Sequence, residues 1–320
     1  MTSTAAPRTP MPTDTTVDAR TGLPIALVSA AAFGLSGSLA SSLLATGWSP
    51  AAVVAARVGG ACLVLLVPCL LLIRRIGWPS LPTTRRMIAY GIVAVALAQL
   101  CYFSAVQHLS VGVALLLEYL APVLLIGWHW WRRGQRPTAA KLVGAAFAVA
   151  GLVLVLDLTN GARVSLVGVL WGLGAALCLC AYFVMSEQSA AAPPALLLTT
   201  VGTGVGAVVL VVAGLIGIVP LATSTSSVTM ASHSAPWWLP VLSLALVSAA
   251  LAYLTGIEAV RRLGSSVASF VALSEVILAV VFAALLLGQV PTPIQAVGGL
   301  LILAGIAIVQ TPPGSLRRRS

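Results

Sequence analysis

The chain has 320 residues, of which 59% are hydrophobic and only 8% charged, and it carries a net charge of +10. Soluble domains sit nearer about 45–50% apolar and about 25% charged, so an ordinary water-soluble core is excluded. The basic excess falls in short clusters between apolar runs and not along one continuous face, which argues against nucleic acid as a partner.

In chain order, residues 1–22 are polar, hold Pro7, Pro10 and Pro12, and balance Arg8 and Arg20 with Asp14 and Asp18. They predict a disordered cytoplasmic tail. A cleavable signal peptide is the competing reading, but the apolar run from Leu23 reaches Ala45 and is longer than a signal core, so an uncleaved first span is expected. Hydropathy places spans near 23–45, 51–73, 87–107, 110–131, 141–157, 165–186, 195–219, 239–260, 265–287 and 293–310. At ~1.5 Å per residue, runs of roughly 20 apolar residues cross a ~30 Å hydrocarbon layer. The expected fold is an all-α integral membrane protein of ten transmembrane helices in a lipid bilayer, followed by a basic tail over 311–320.

Counted on alternate sides, Arg74, Arg75, Arg85, Arg86, Arg132, Arg133, Arg136, Lys141, Arg261, Arg262 and Arg317 to Arg319 fall together with Arg8 and Arg20. Arg163 alone falls opposite, and Arg57 lies within a span. Basic residues favour the cytoplasmic side, so both termini are expected there, with the chain in the inner membrane. Trp48, Trp78, Trp128, Trp130, Trp131, Trp237 and Trp238 sit near predicted interfaces, where amphipathic rings are favoured; Trp171 does not. Cys62, Cys69, Cys101, Cys178 and Cys180 all lie inside apolar segments without metal spacing, so neither metal nor cofactor is expected.

Gly134-Gln135-Arg136-Pro137-Thr138 matches Gly288-Gln289-Val290-Pro291-Thr292 at four of five positions, a shift of 154 residues. The same shift lays Gly144 on Gly298, Gly151 on Gly305, Leu109 on Leu263, and Val113-Ala114 on Val267-Ala268. A duplication is indicated, with repeats over 23–157 and 165–310. Five spans per copy is odd, so the second copy must enter the membrane from the opposite face. The charges agree. Arg132, Arg133, Arg136 and Lys141 have the counterparts Leu286, Leu287, Val290 and Gln295, while Gln107 and His108 become Arg261 and Arg262. Inverted repeats put a solute site near the bilayer midplane, between halves that can rock.

On Tyr102-Phe103-Ser104-Ala105, Ala114 to Val123, Gly134 to Gly151, Ala268 to Glu275, Leu285 to Gln289 and Gly298 to Gly305, the sequence resembles the drug/metabolite transporter superfamily, in its ten-helix EamA-type branch. Two departures stand out: Gln135 and Gln289 occupy positions where the family often has Glu, and Glu275 is followed by Val276 where it often has Pro. The resemblance implies secondary transport, commonly export of amino acids or related metabolites. It also implies spans 1–4 and 6–9 around a central cavity, with spans 5 and 10 peripheral.

Ionisable groups within spans are costly and normally face a cavity or a partner. Glu118 shares its helical face with Ala114, Ala121 and Pro122, and Glu275 with Ala268, Ala272 and Ala279, so both are expected to point towards the centre. A desolvated carboxylate there could bind a coupling proton or neutralise an amine; the alternative is an interhelical hydrogen bond or ion pair. Glu258 has Arg261 and Arg262 at i+3 and i+4, which predicts a local salt bridge. Arg57 lies ~10 Å below the outer end of span 2, and Glu118 ~12 Å below that of span 4. Arg57 could bind a substrate carboxylate, pair with Glu118 or donate to backbone carbonyls. Gln99, Tyr102, Tyr253 and Tyr182 offer polar tips to an amphipathic solute, against core packing for each alone. His108 reads as a solvated loop residue.

A secondary transporter of a small organic solute, an amino acid, related metabolite or drug-like compound, is the function expected, with export and proton coupling as its finer form and a homodimer left open. A membrane-embedded enzyme is the alternative, but HExxH, GxSxG, paired intramembrane aspartates and a phosphate-binding glycine loop are all missing from the sequence. A non-transporting scaffold is the second.

Overall fold

A computed structural model describes residues 19–134, 136–156, 165–186 and 193–310. These residues form ten helical spans in two sets of five. In the first set, α1 is Ala19–Leu44 and α2 is Pro50–Ile76. Helix α3 runs Leu81–Tyr90, passes through a π-helical stretch, Gly91–Leu97, and continues over Ala98–Val106. Helix α4 is broken into Val111–Glu118 and Ala121–Arg133, and α5 is Ala139–Val155. In the second set, α6 is Leu166–Ser186 and α7 is Ala195–Leu215. Helix α8 starts at Trp238–Ala245, has its own π-helical stretch, Leu246–Leu251, and runs into helical backbone over Ala252–Ala272. Helix α9 continues as Ser274–Leu287, and α10 is Pro293–Gln310.

Seven of these spans are long and apolar enough to cross a bilayer alone, and Ala139–Val155, Leu166–Ala181 and Ser274–Leu287 are shorter apolar helices. Exposed large apolar side chains such as Leu63, Val67, Leu170 and Leu215 coat the outside, which only a hydrocarbon solvent favours. The chain is a multi-pass membrane protein.

The repeated Gly-Gln-X-Pro-Thr motif is a helix stop followed by a helix start. Gly134 and Gly288 end α4 and α9 with φ of 63° and 68°, a left-handed conformation that glycine adopts without a Cβ penalty. Thr138 then accepts from the Lys141 amide at 3.4 Å, and Thr292 from the Gln295 amide at 3.3 Å, each at the start of the next helix.

The packing is two-fold in the sense the sequence predicts. A Cβ on Gly144 would meet the Gly305 carbonyl and one on Gly298 the Gly151 carbonyl, each at 2.6 Å, so α5 and α10 cross backbone to backbone. The 154-residue shift turns the first contact into the second. Both helices carry exposed outer faces, including Leu142, Phe147, Val297 and Leu300, and form a peripheral pair. The first helix of each half instead packs on the other half: Gly22 of α1 faces Leu263 and Arg262, and Gly168 of α6 faces Leu109 and His108. The two π-helical stretches, Gly91–Leu97 and Leu246–Leu251, also coincide under the shift.

Helical backbone carries through the turn between spans 8 and 9, where two separate helices are expected. Helix α1 shows that the chain nevertheless reverses there. Its Gly22 meets Leu263, its Ala26 clusters with Leu263 and Ala268, and its Gly34 lies on the backbone of Glu275 and Ala279. Position 275 is therefore level with Gly34, well above Leu263, and the chain turns back between them.

At one end of the bundle lie Trp48, His108, Gln289 and a hairpin, Val228–Met230 paired antiparallel with His233–Ala235. We call this the hairpin end. Arg74, Arg75, Arg85, Arg86, Arg132, Arg261 and Arg262 mark the opposite, basic end.

Candidate functional site

The breaks in α4 and α9 build the centre of the bundle. Pro122 has no amide hydrogen and its ring crowds the Glu118 carbonyl, so α4 stops at Glu118, turns through Tyr119 and Leu120, and resumes at Ala121. Helix α9 breaks at Leu273, which the shift lays on Tyr119, although Val276 replaces the proline. There Ser274 Oγ donates to the Val271 carbonyl at 2.6 Å and turns the chain locally. Two intramembrane acids flank equivalent breaks, Glu118 before one and Glu275 after the other.

Glu275 is held. Tyr119 Oη lies 3.0 Å from Glu275 Oε2 and 3.1 Å from the Ala272 carbonyl, a group left short of helical donors by the break. One phenolic hydrogen faces two acceptors. Glu118 makes no side-chain hydrogen bond among the described residues, and both acids remain partly exposed. An anchored acid thus lies near a free one, and Tyr119 is a residue that the sequence reading did not single out.

Arg57 is 1% exposed. Its guanidinium donates to Gln99 Oε1 and to the Ser248 carbonyl, which lies within the π-helical stretch of α8, where the altered helical bonding suits an outside donor. Its Cζ sits 5.6 Å from the Phe103 ring centroid. Of the three roles the sequence left open, donation to a backbone carbonyl is the one present, together with a side-chain amide and a ring. Glu118 and Glu275 lie within electrostatic range of the same cation without pairing with it directly. The Arg57 Nε, Ser248 Oγ, Ser36 Oγ, Ser38 Oγ and Thr199 Oγ1 atoms are buried without partners. Each such atom costs about 1–3 kcal/mol in a dry setting.

Tyr102 is buried beside Phe103, and Gly37 of α1 has no room for a Cβ against the Tyr102 hydroxyl. Gln99 and Tyr253 are repeat equivalents; Gln99 serves Arg57, and the Tyr253 ring meets Phe33 edge-on at 5.0 Å. Tyr182 belongs to α6, and its side chain lies outside the described residues, as does Gln135. Glu258 accepts from Arg262 Nε at 2.7 Å, the local ion pair expected, and His108 is exposed.

The two parts of α4 differ in burial. Val111, Val113 to Leu117, Leu120 and Ala121 of α4 are buried, whereas Pro122 to Arg132 are partly or fully exposed. At the hairpin end Gly112 lies against Val280 of α9, and Gln289 Oε1 accepts from the Val111 amide at 3.1 Å, capping α4. The departure from the family's usual Glu thus keeps an acceptor oxygen. Glu118 sits at the end of the buried half of α4.

A ten-helix membrane bundle of inverted repeats, with equivalent broken helices at its centre, defines a transporter architecture. The chain belongs to the EamA-like transporter family, which it matches over residues 20–157 and 166–311, one match per repeat. Proteins of that family are membrane transporters of small solutes, not enzymes. No curated protein matches the sequence. A solved structure described only as "Crystal structure of protein" superposes with a TM-score of 0.59 at 20% identity, covering 93% of this chain and 99% of its own, which supports the fold alone.

Proposed function

We propose that the protein is a secondary transporter that exports a small organic solute, an amino acid, related metabolite or drug-like compound, across the inner membrane by alternating access. The observation that carries this is the pair of equivalent breaks in α4 and α9, each flanked by an acid, at the centre of the bundle. The basic end is cytoplasmic by its Arg content, and both termini lie on that side. Glu118, without a side-chain hydrogen bond among the described residues, takes the coupling proton or a cationic group of the solute, and Arg57 with Gln99 and Tyr102 forms the opposite wall. Glu275 serves as the fixed acid.

The test is uptake and counterflow in proteoliposomes with labelled amino acids, nucleosides and cationic drugs, with and without a pH gradient. Accumulation of one class above the empty-vesicle level, raised by the gradient, is expected. Equal signals with and without protein across the panel sink the reading.

A further inference from the structure

The two halves differ most in one connection. The α2–α3 link is 77–80, at the basic end, while the equivalent α7–α8 link is 216–237, at the hairpin end. That longer link does not project into solvent. Ser49, at the start of α2, receives the segment in three ways: its amide donates to the Ala222 carbonyl at 2.9 Å, its Oγ donates to the Pro220 carbonyl at 2.6 Å, and its Oγ accepts from the Ala222 amide at 3.1 Å; the same Oγ caps α2 at the Ala52 amide. Trp48 Nε1 donates to the Ser224 carbonyl at 2.8 Å, and the Trp48 ring lies 6.1 Å from that of Trp237. Further on, Val228 is fully buried in the main core, and the Ala231 amide donates to the Leu286 carbonyl of α9 at 2.8 Å.

The link therefore ties the α1–α2 turn of one half to the end of α9 in the other, across the hairpin end. Within α1, Ser36 and Ser38, which point to opposite sides of the helix, are buried with hydroxyls that have no partner. Hydroxyls of this kind suit a surface that is wet in another state of the protein.

We infer that residues 216–237 are a strap that latches the hairpin end shut, and that the contacts of Trp48 and Ser49 with it must break before the buried Ser38 hydroxyl can be reached from that side. The inference rests on the alternating-access reading above. A motion that separates the α1–α2 turn from the hairpin-end tip of α9 cannot proceed with Ser49 bonded to Ala222 and Ala231 bonded to Leu286.

The test needs no knowledge of the solute. In full-length protein in proteoliposomes, with the five native cysteines replaced by serine, a Ser38→Cys thiol is titrated with a membrane-impermeant maleimide from the hairpin side. Slow labelling is expected, faster by several-fold in Trp48→Phe, which loses only the Nε1 donor and keeps an aromatic ring. Adding Ser49→Cys and Ala222→Cys and oxidising them to a disulfide before labelling should slow the reaction at least about tenfold, with recovery on reduction, since the adjoining backbones suit that bond. Equal labelling of locked, reduced and Trp48→Phe protein overturns the strap and leaves alternating access standing. No labelling from the hairpin side in any variant overturns both.

Discussion

Tyr119 on α4 reaches across the interface between the two halves to Glu275 on α9, with Oη 3.0 Å from Oε2. The contact joins a residue within the break in α4 to one just past the equivalent break in α9. Tyr119→Phe removes the donor from both Glu275 and the Ala272 carbonyl, and should lower stability by about 1–2 kcal/mol. Glu275→Gln keeps an acceptor and should cost less. Thermal melts of the purified variants check the order; an unchanged midpoint for Tyr119→Phe would show that the bond contributes nothing.

Glu118 stands free of side-chain partners among the described residues. If it carries a coupling proton, Glu118→Gln mimics the neutral form and abolishes gradient-driven accumulation while exchange of bound solute partly survives. Loss of exchange as well assigns it to a cationic group of the solute, since removing a desolvated charge contact costs ~2–5 kcal/mol. Wild-type transport under a pH gradient removes both roles.

Arg57→Met keeps bulk but leaves Gln99 and the Ser248 carbonyl without their donor. Arg57→Lys retains the charge but lacks the planar fork that serves both acceptors. The folded fraction after heating, read by size exclusion in detergent, should fall in the order wild type, Lys, Met. Equal behaviour of all three contradicts a structural share for Arg57.

At the α5–α10 crossing, even Gly151→Ala would set a Cβ 2.5 Å from the Gly298 carbonyl. Helices that must part to admit it lose their closest contact, so Gly151→Leu is expected to lower the melting midpoint by several degrees while solute binding by the central helices is retained. Coupled loss of binding at full stability would place α5 at the site instead of the periphery.

The orientation is open to labelling in intact cells. Thr225→Cys should react with an impermeant thiol reagent and Gln135→Cys should not. The reverse pattern inverts the assignment of the basic end to the cytoplasm.

The spans, the inverted repeat and the two acids were legible because each has a signal that sequence carries directly: hydropathy over 20 residues, a fixed shift between motifs, and charge where charge is costly. Pro122 also announces the break in α4, since no helix passes a proline with its bonding intact. Tyr119 was not legible. A tyrosine in an apolar span looks like packing until its partner 156 positions away is placed beside it. The hairpin gave no signal either, because its turn puts positive φ on Ala231 and Ser232 where asparagine and glycine are the usual markers. The π-helical stretches fall in runs of Ala, Val and Leu whose composition fits an α-helix equally well.

The seating of α1 on the opposite half bears on how the molecule is made. Ser29 donates to the Ala252 carbonyl, 223 residues later, and Gly34 rests on α9. During synthesis α1 reaches the bilayer long before either surface has left the ribosome, and its small-residue face meets only lipid. The amino-terminal five helices alone lack the surfaces on which α1 packs in the whole molecule. Contacts of such sequence separation close slowly, and a chain truncated before α8 would leave α1 undocked, a substrate for membrane quality-control proteases.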